Sequence, residues 1–402
     1  MHYDDVSVQW WESIRGPAIF INTLVNHLRS KNFVLLDVPE DLPWRKEFRS
    51  SAESVLRGYE NDLMVTYIDC LDECPGIANV ADAAAFLLKK FADNETQNGY
   101  RAASGKTIQQ YMIQNKVLKD RVLWIKGVGE PQESLWLSFC NSYKPTLIAD
   151  GLFVIESYNS NTAKNCVSHI KPLLYDEYVT DYDALLFDSL LASAKNLTVY
   201  WKQYAAAVVS ALCGRDAEVS ERVIGEARFD EVDIIDLVLQ IAQDQMFEKR
   251  VVSKKLSPSH IFSVIRNEDM QELKRRVWKA QLQLIFPMIE IERFNFVEKW
   301  KTQIEEALSV SYREPQTGKE RILTQYDEYL QSAVDVEIGT INRMLRLRRF
   351  NATDDYLLYL PEENDRRRVR LLYEMRNNLA HMKSCTVEQI KDLFTDYPYW
   401  QG

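Results

Sequence analysis

The chain has 402 residues and a formal net charge of −10, with 46% apolar and 27% charged residues. This composition is that of a folded globular protein, and it excludes disordered and fibrous classes. The length suits two or three domains, because single hydrophobic cores stop growing near ~250 residues. The negative charge counts against a surface coated in positive potential for non-specific nucleic-acid binding, although a local basic site stays open.

Short apolar segments alternate with helical patterns from residue 1 to about residue 160. The apolar segments are rich in Val, Ile, Leu and aromatic residues, which favour strands. Strands that alternate with helices indicate a parallel sheet covered by helices. The predicted strands are 33–38, 63–68, 121–125 and 152–156, and the predicted helices are 17–28, 44–57, 80–91, 107–115 and 133–143.

Beyond residue 165 the strand patterns stop, and apolar residues recur at helical spacing. Pro258 in the segment KKLSPSH marks a boundary, since proline ends a helix. We therefore predict an α+β multidomain protein, with a parallel-sheet α/β domain at 1–160, a helical middle region at 165–255 and a helical bundle at 259–402. The predicted helices are 182–213, 231–248, 259–284, 287–310, 322–349, 364–382 and a short one from about 387.

The start of the chain and its cysteines indicate the compartment. The first ten residues carry two aspartates and no basic segment, and about 20 uncharged apolar residues nowhere run together. We expect a cytoplasmic protein with no membrane contact and with reduced thiols. Neither Cys70 with Cys74 nor Cys166 with His169 has a second pair at zinc spacing. We therefore expect no metal and no cofactor.

A phosphate-binding loop would need GxxxxGK[ST] directly after a strand, so that backbone N–H groups at a helix N-terminus hold the phosphates. The segment from Gly99 to Thr107 has five residues between its glycines where that loop has four, and polar residues precede it. At Arg15-Gly16-Pro17 no Lys-Ser/Thr follows, and Pro17 suits the first position of a helix. We therefore interpret the match of both segments to a phosphate-binding loop as a coincidence.

The segment RVLWIKGVGEP resembles the Walker B strand of AAA-type or STAND-type ATPases, with Lys126 where the magnesium-holding aspartate would be. Asp69, Asp72 and Glu73 follow another strand and suit either a metal or an ordinary polar surface. The layout thus resembles a degenerate P-loop ATPase, which implies a scaffold that does not hydrolyse ATP. A true ATPase with an unusual loop is the alternative.

Residues 376–381 read Arg-Asn-Asn-Leu-Ala-His near the end of an amphipathic pattern. Leu372, Met375, Leu379 and Met382 recur at helical spacing and should face the core. At ~100° per residue, the Asn and His of the motif lie on the opposite face. A capping box at Thr386 and Gln389 predicts the next helix, so the motif helix should end near residue 384. A solvated histidine in a last helical turn is the plainer interpretation.

This hexapeptide resembles the motif of the HEPN family, with Arg376 as its arginine, Asn377 as its polar residue and His381 as its histidine. The resemblance covers about the last 140 residues. It implies an all-helical bundle, usually dimeric, in which two motifs face each other and cut RNA without a metal ion. A neutral imidazole takes the proton of a 2′-OH, and a guanidinium stabilises charge on the phosphate.

Two arginine clusters accompany the motif and suit contacts with an RNA backbone, or else ion pairs on solvated helix faces. The resemblance implies an RNA-cleaving effector of prokaryotic anti-phage defence or of a toxin system, which is regulated by its N-terminal domain and assisted by partner proteins of its operon. The alternative is a non-catalytic scaffold or sensor subunit of a defence complex. The candidate RNA-contacting residues are Arg346, Arg348, Arg349, Arg366, Arg367 and Arg368.

Overall fold

The computed structural model describes residues 3–60, 62–101, 105–143, 151–158, 168–243, 257–325, 328–330, 332–352 and 354–400. Cys166 and part of the predicted helix 231–248 lie outside these ranges. No helix in the described ranges is long and apolar enough to cross a membrane.

Strands alternate with helices through the first part of the chain, as the sequence predicts. A short π-helix at Gln9–Ser13 separates the first two α-helices. The strands are β1 (Phe33–Val38), β2 (Met64–Asp69), β3 (Arg121–Val128), β4 (Leu152–Tyr158) and β5 (Ile170–Leu174). The helices are α1 (Tyr3–Val8), α2 (Arg15–Arg29), α3 (Arg45–Tyr59), α4 (Cys70–Glu73), α5 (Val80–Phe91), α6 (Asn94–Gly99), α7 (Ile108–Gln114), α8 (Glu130–Tyr143), α9 (Tyr175–Tyr178) and α10 (Asp181–Ser193).

Within the described residues the five strands form one parallel sheet in the order β2-β3-β4-β1-β5. The central strands are buried, as expected for a parallel sheet with both faces covered. Four strands confirm the sequence prediction. The expectation that no strand follows residue 165 is wrong, because β5 pairs with β1 as an edge strand. Pro172 lies inside β5, and an edge strand is one of the few places where a sheet tolerates a proline.

The rest of the chain is mainly helical. Its helices are α11 (Val199–Cys213), α12 (Ala217–Glu226), α13 (Ile234–Ala242), α14 (Ile261–Arg266), α15 (Met270–Lys299), α16 (Lys301–Ser309), α17 (Ile338–Met344), α18 (Glu363–Ala380) and α19 (Val387–Thr395), with a 3-10 turn at Ala333–Asp335. Two small antiparallel sheets lie among the described residues, formed by β6 (Tyr312–Arg313), β7 (Glu320–Arg321) and β10 (Arg348–Arg349), and by β8 (Thr324–Gln325) and β9 (Glu328–Tyr329).

Three helix predictions in this part are wrong. The single helix expected at 182–213 is two helices, because α10 ends at Ser193 and α11 begins at Val199. The break at Pro287 is absent, because α15 continues through this exposed proline while Ile285, Met288 and Ile289 are buried around it. The long helix expected at 322–349 is replaced by the small strands and by α17. The capping box of Thr386 and Gln389 at the start of α19 is confirmed.

The chain divides into two compact units. Unit 1 comprises Met1–Phe187, Cys213–Ser220 and Asp244–Ser263, and it contains the parallel sheet. Unit 2 comprises Asp188–Leu212, Glu221–Gln243 and Val264–Gly402, and it contains α15 to α19 and the small sheets. The segment 165–255, expected as a separate helical region, contributes to both units. Each unit has its own buried apolar core, which is what allows it to be compact.

Candidate functional site

A cavity of about 380 Å³ lies at the carboxyl edge of the parallel sheet in unit 1. The chain leaves β1 towards β2 on one side and leaves β4 towards β5 on the other. In open parallel sheets, ligands bind where connections diverge in this way. The cavity is lined by Leu42, Trp44, Arg45, Lys46, Glu47, Arg49, Asp69, Leu71, Lys126, Gly127, Tyr158 and Glu218.

The loop at 39–44 joins β1 to α3, which is the position that a phosphate-binding loop takes in a strand-loop-helix unit. It contains two prolines and no glycine, and Lys46 is followed by Glu47 instead of Ser or Thr. Trp44 has a φ of 42°, and its N–H donates to the Glu218 carboxylate at 3.1 Å. A carboxylate therefore occupies the helix N-terminus where a phosphate would bind. The residues of this loop do not fit a nucleoside triphosphate.

The two glycine segments singled out in the sequence have other roles. Gly105 and Thr107 precede α7, where Thr107 forms a capping box, and no strand leads into this segment within the described residues. At Gly16 a Cβ atom would lie 2.5 Å from the carbonyl oxygen of Tyr178, so the glycine allows a close approach of two backbone segments. The Gly16 N–H donates to Asp183 at 2.9 Å.

Two oppositely charged side chains that line the cavity are paired with each other. Lys126 Nζ lies 2.8 Å from Asp69. Burial raises the pKa of Asp69, but the hydrogen bond and charge of Lys126 outweigh it, so the pKa is lowered. An ammonium group therefore neutralises this strand-end carboxylate.

A second, separate group of hydrogen bonds is centred on the fully buried Glu156. This carboxylate accepts hydrogen bonds from Arg49 at 2.9 and 2.6 Å and from the Trp124 indole at 2.7 Å. Arg45 donates to the Tyr158 hydroxyl at 3.1 Å and to the carbonyl of Glu40 at 2.6 Å. Burial raises the pKa of Tyr158 to about 12. Such a network holds the edge of the sheet rigidly.

Within the described residues, no three His, Cys, Asp or Glu side chains group as a metal site would require. Glu73, expected as a metal ligand or as an ordinary surface carboxylate, pairs with Lys90. The described cysteines are buried and free of disulfide bonds.

The motif of residues 376–381 lies at the end of α18 in unit 2. Leu372, Met375 and Leu379 are buried, as the apolar stripe predicts. Met382 is 75% exposed, so its assignment to the stripe is wrong: its φ of 57° takes it out of the helix. The helix ends at Ala380, four residues earlier than expected.

His381 caps this helix end, with its backbone N–H donating to the carbonyl of Asn377 at 3.0 Å. Its side chain is exposed, and no hydrogen bond to the imidazole occurs among the described residues. Asn377 and Arg376 are half-buried one turn earlier. Arg376 Nη2 lies 3.5 Å from Glu337, the residue that precedes α17. All three motif side chains thus reach the surface at one end of α18.

The candidate RNA-contacting arginines have different surroundings. Arg346 is exposed, and Arg348 stacks on Tyr356 with its guanidinium carbon 3.7 Å from the ring centre. Arg349 pairs with Glu306 at 2.9 Å. Arg366 donates to backbone carbonyls of residues 360 and 361, and the exposed Arg367 pairs with Glu363 at 2.5 Å.

Arg368 does not belong in that group. Its side chain is 5% exposed and pairs with Glu292, whose side chain is fully buried. It also donates to the carbonyls of Asp392 and Leu393 at 2.7 and 3.0 Å. This arginine therefore joins α18, α15 and α19 and has almost no surface for RNA, so the prediction for Arg368 is wrong.

The sequence reasoning missed Glu292 and Glu337. Glu292 lies on the apolar face of α15 with Ile285, Ile289 and Phe296, and a carboxylate in such a stripe indicates a buried cationic partner. Glu337 contacts Arg376 across 39 positions of sequence, and no local pattern announces that contact.

No protein-family model matches the chain, and no curated protein matches it. Among solved structures, the ORC2 protein of Aeropyrum pernix in ADPNP-ADP complexes has a TM-score of 0.30 and 10% identity, covering 70% of this chain and 73% of that one. Drosophila ORC bound to DNA has a TM-score of 0.28 and 12% identity, covering 99% of this chain and 76% of that one. Both similarities are too weak to assign a fold or a ligand.

Proposed function

We propose that this protein is a HEPN-type endoribonuclease whose site is formed by Arg376, Asn377 and His381. The observation that carries the proposal is the exposed imidazole of His381 at the end of α18, beside the half-buried Arg376 and Asn377. A general base must reach its substrate, and an exposed imidazole that no described side chain or carbonyl engages is free to do so.

In this proposal the His381 imidazole takes the proton of an RNA 2′-OH. The 2′ oxygen then attacks the adjacent phosphorus, and the 5′ oxygen leaves and takes up a proton. Arg376 stabilises the charge that develops on the phosphate, and Asn377 orients the phosphate or the imidazole. The products carry a 2′,3′-cyclic phosphate and a 5′-hydroxyl. DNA resists because it lacks the 2′-OH.

The remaining parts of the chain have a regulatory role in the proposal. A homodimer through the helices of unit 2 would bring two motifs together. Unit 1 acts as a degenerate P-loop-like module without nucleotide hydrolysis, which is supported by the paired Lys126 and Asp69 and by the glycine-free loop at 39–44. We place the protein in the cytoplasm, as an effector of anti-phage defence or of a toxin system that partner proteins of its operon control.

A non-catalytic scaffold or sensor subunit is the second candidate. The contact between Arg376 and Glu337 favours it, because an arginine that holds α18 to the start of α17 has a structural role without any chemistry. The two candidates differ in their dependence on His381, whose imidazole makes no such contact with any residue that the structure describes.

The test is RNA cleavage by the purified full-length chain in the presence of EDTA. The His381→Ala variant should lose at least ~100-fold in cleavage rate, the range for loss of a general base. His27→Gln in unit 1 is the matched control and should cut at the wild-type rate. RNA integrity in cells that express the same variants gives a second readout. Cleavage that continues unchanged in His381→Ala would overturn the assignment.

A further inference from the structure

Two arginines lie opposite each other in the three-stranded sheet of unit 2, which has the strand order β10-β6-β7. In the antiparallel pairing of β10 with β6, Arg348 lies opposite Arg313. Like charges in directly opposed positions destabilise a pair of strands. The register therefore places two cationic residues in neighbouring positions on one face of the sheet, with Glu320 opposite Arg313 on its other side. An anion bound at this face would reduce the repulsion between the two arginines.

Aromatic rings contact these two guanidinium groups and that of a third arginine on α17. Arg348 lies 3.7 Å from the ring centre of Tyr356, and Arg313 lies 5.4 Å from that of Phe350. On α17, Arg343 lies 5.3 Å from the ring centre of Tyr312 and donates to its hydroxyl at 2.6 Å. Stacking on a ring fixes the position of a guanidinium. Arg348 uses one N–H to donate to the carbonyl of Asp354 at 2.5 Å, and a guanidinium has five N–H donors, so others remain for a ligand.

Ion pairs are absent from these arginines among the described residues. In the described part of the chain, no Asp or Glu lies within 4.0 Å of the guanidinium groups of the arginine surface, which we define as Arg313, Arg343, Arg346 and Arg348. Other arginines of unit 2, such as Arg275, Arg349 and Arg370, are paired. Glu320, the neighbour of Arg313 on β7, accepts a hydrogen bond from Ser311 at 2.5 Å instead.

We propose that the arginine surface binds the phosphate backbone of single-stranded RNA. Guanidinium groups match phosphate geometry with paired hydrogen bonds. Tyr356 is 38% exposed beside Arg348, and an exposed ring can stack with an unpaired base, which an acidic peptide would not use. The inference rests on the proposed function for the choice of RNA as the polyanion.

The position of α17 relates this surface to the motif. Glu337, which contacts Arg376, precedes α17, and Arg343 lies in its last turn. Six residues of helix span about 9 Å. An RNA strand held by the arginine surface would therefore lie within a few nucleotides of Arg376.

The experiment measures binding of a fluorescein-labelled single-stranded RNA by anisotropy, with full-length protein in a His381→Ala background so that the RNA stays intact. The double variant Arg313→Ala/Arg348→Ala should bind at least tenfold more weakly. The slope of log K against log salt concentration should fall by about 1.4, since each lost single-strand phosphate contact removes about 0.7. Arg275→Ala/Arg370→Ala removes the same charge from exposed, paired positions and should bind as its parent does.

Equal weakening in both double variants would overturn the proposal, as would the absence of RNA binding or tighter binding of DNA of the same sequence. The outcome is separable from that of the nuclease assay. Arginine-dependent RNA binding by a protein that cuts no RNA would support the arginine surface and reject the nuclease. Cleavage that depends on His381 but not on Arg313 and Arg348, with unchanged binding, would do the reverse.

Discussion

The carboxylate of Glu337 lies 3.5 Å from the guanidinium of Arg376, and the two side chains are 38% and 31% exposed. Arg376, the cation of the motif, therefore already has a carboxylate partner within the protein. In the proposed nuclease, an RNA phosphate would have to compete with this carboxylate for Arg376.

We therefore expect Glu337→Gln to raise the rate of RNA cleavage. A partly exposed ion pair contributes about 1 kcal/mol. An RNA phosphate that no longer has to break this pair would bind Arg376 more favourably by that amount, which corresponds to an increase of about fivefold in kcat/KM. Glu363→Gln, which removes a carboxylate from the exposed pair with Arg367, is the control and should leave the rate unchanged. A lower rate in Glu337→Gln would show that the carboxylate assists the motif instead.

We expect millimolar Mg-ATP to leave the Tm of the protein unchanged, since a ligand raises Tm only when it binds the folded state. The loop at 39–44 lacks glycine, and Glu218 already accepts the N–H of Trp44. Calorimetry should likewise show no heat of binding. A saturable heat signal would show that unit 1 binds nucleotide and would favour the alternative of an ATPase with an unusual loop.

Gly16→Ala should destabilise unit 1, because the added methyl group would lie 2.5 Å from a backbone oxygen that cannot move away alone. Overpacking of this kind costs about 1–3 kcal/mol. Gly58→Ala in α3 is the control: nothing lies within 4 Å of its Cβ position, and the change should stabilise by about 0.4–1 kcal/mol. Thermal unfolding of both variants gives the comparison, and equal Tm values would contradict it.

Arg368→Ala should lower the free energy of unfolding of unit 2 by about 3–5 kcal/mol, because it leaves Glu292 buried without its cation. The neighbouring Arg367→Ala removes a 72% exposed side chain and should cost less than about 1 kcal/mol. Urea unfolding, monitored by tryptophan fluorescence, distinguishes the two. Similar losses in the two variants would contradict a penalty for leaving Glu292 buried without its cation.

Glu272 should stabilise the folded protein in a pH-dependent way. The hydrogen bonds of Arg275 and then of Arg276 lower the pKa of Glu272 from 4.5 to about 2, against the effect of burial. A folded-state pKa below the unfolded value adds stability that is present above about pH 4.5 and lost as the pH falls towards 2. The Tm difference between wild type and Glu272→Gln should therefore be larger at pH 7 than at pH 3. A difference independent of pH would contradict this.

The periodicity of apolar residues predicted the buried strands well, because both faces of β1, β3 and β4 lie in the core. It missed β5, where Pro172 removes the usual strand signal. It also divided α15 at Pro287, since local propensity carries no information about the burial that keeps the helix intact. The strands at 312–349 are two residues each, too short for any periodic pattern.

The site shows a similar limit. The helical stripe placed Arg376, Asn377 and His381 near the surface, and that much follows from spacing alone. Arg366, Arg367 and Arg368 are adjacent in sequence and were predicted as one cluster. Successive residues of a helix point in different directions, and of these three only Arg368 is buried. The facing of Arg313 and Arg348 depends on strand register, which brings together residues 35 positions apart.

The division of the chain also has a practical meaning for protein engineering. The backbone passes from one unit to the other at 187/188, 212/213, 220/221, 243/244 and 263/264. A single cut therefore cannot release either unit whole, and a truncated gene product would lack segments of the fold it is meant to contain. Exchange of the motif-bearing half between related chains would require several splice points, whereas a circularly permuted gene would keep every segment present.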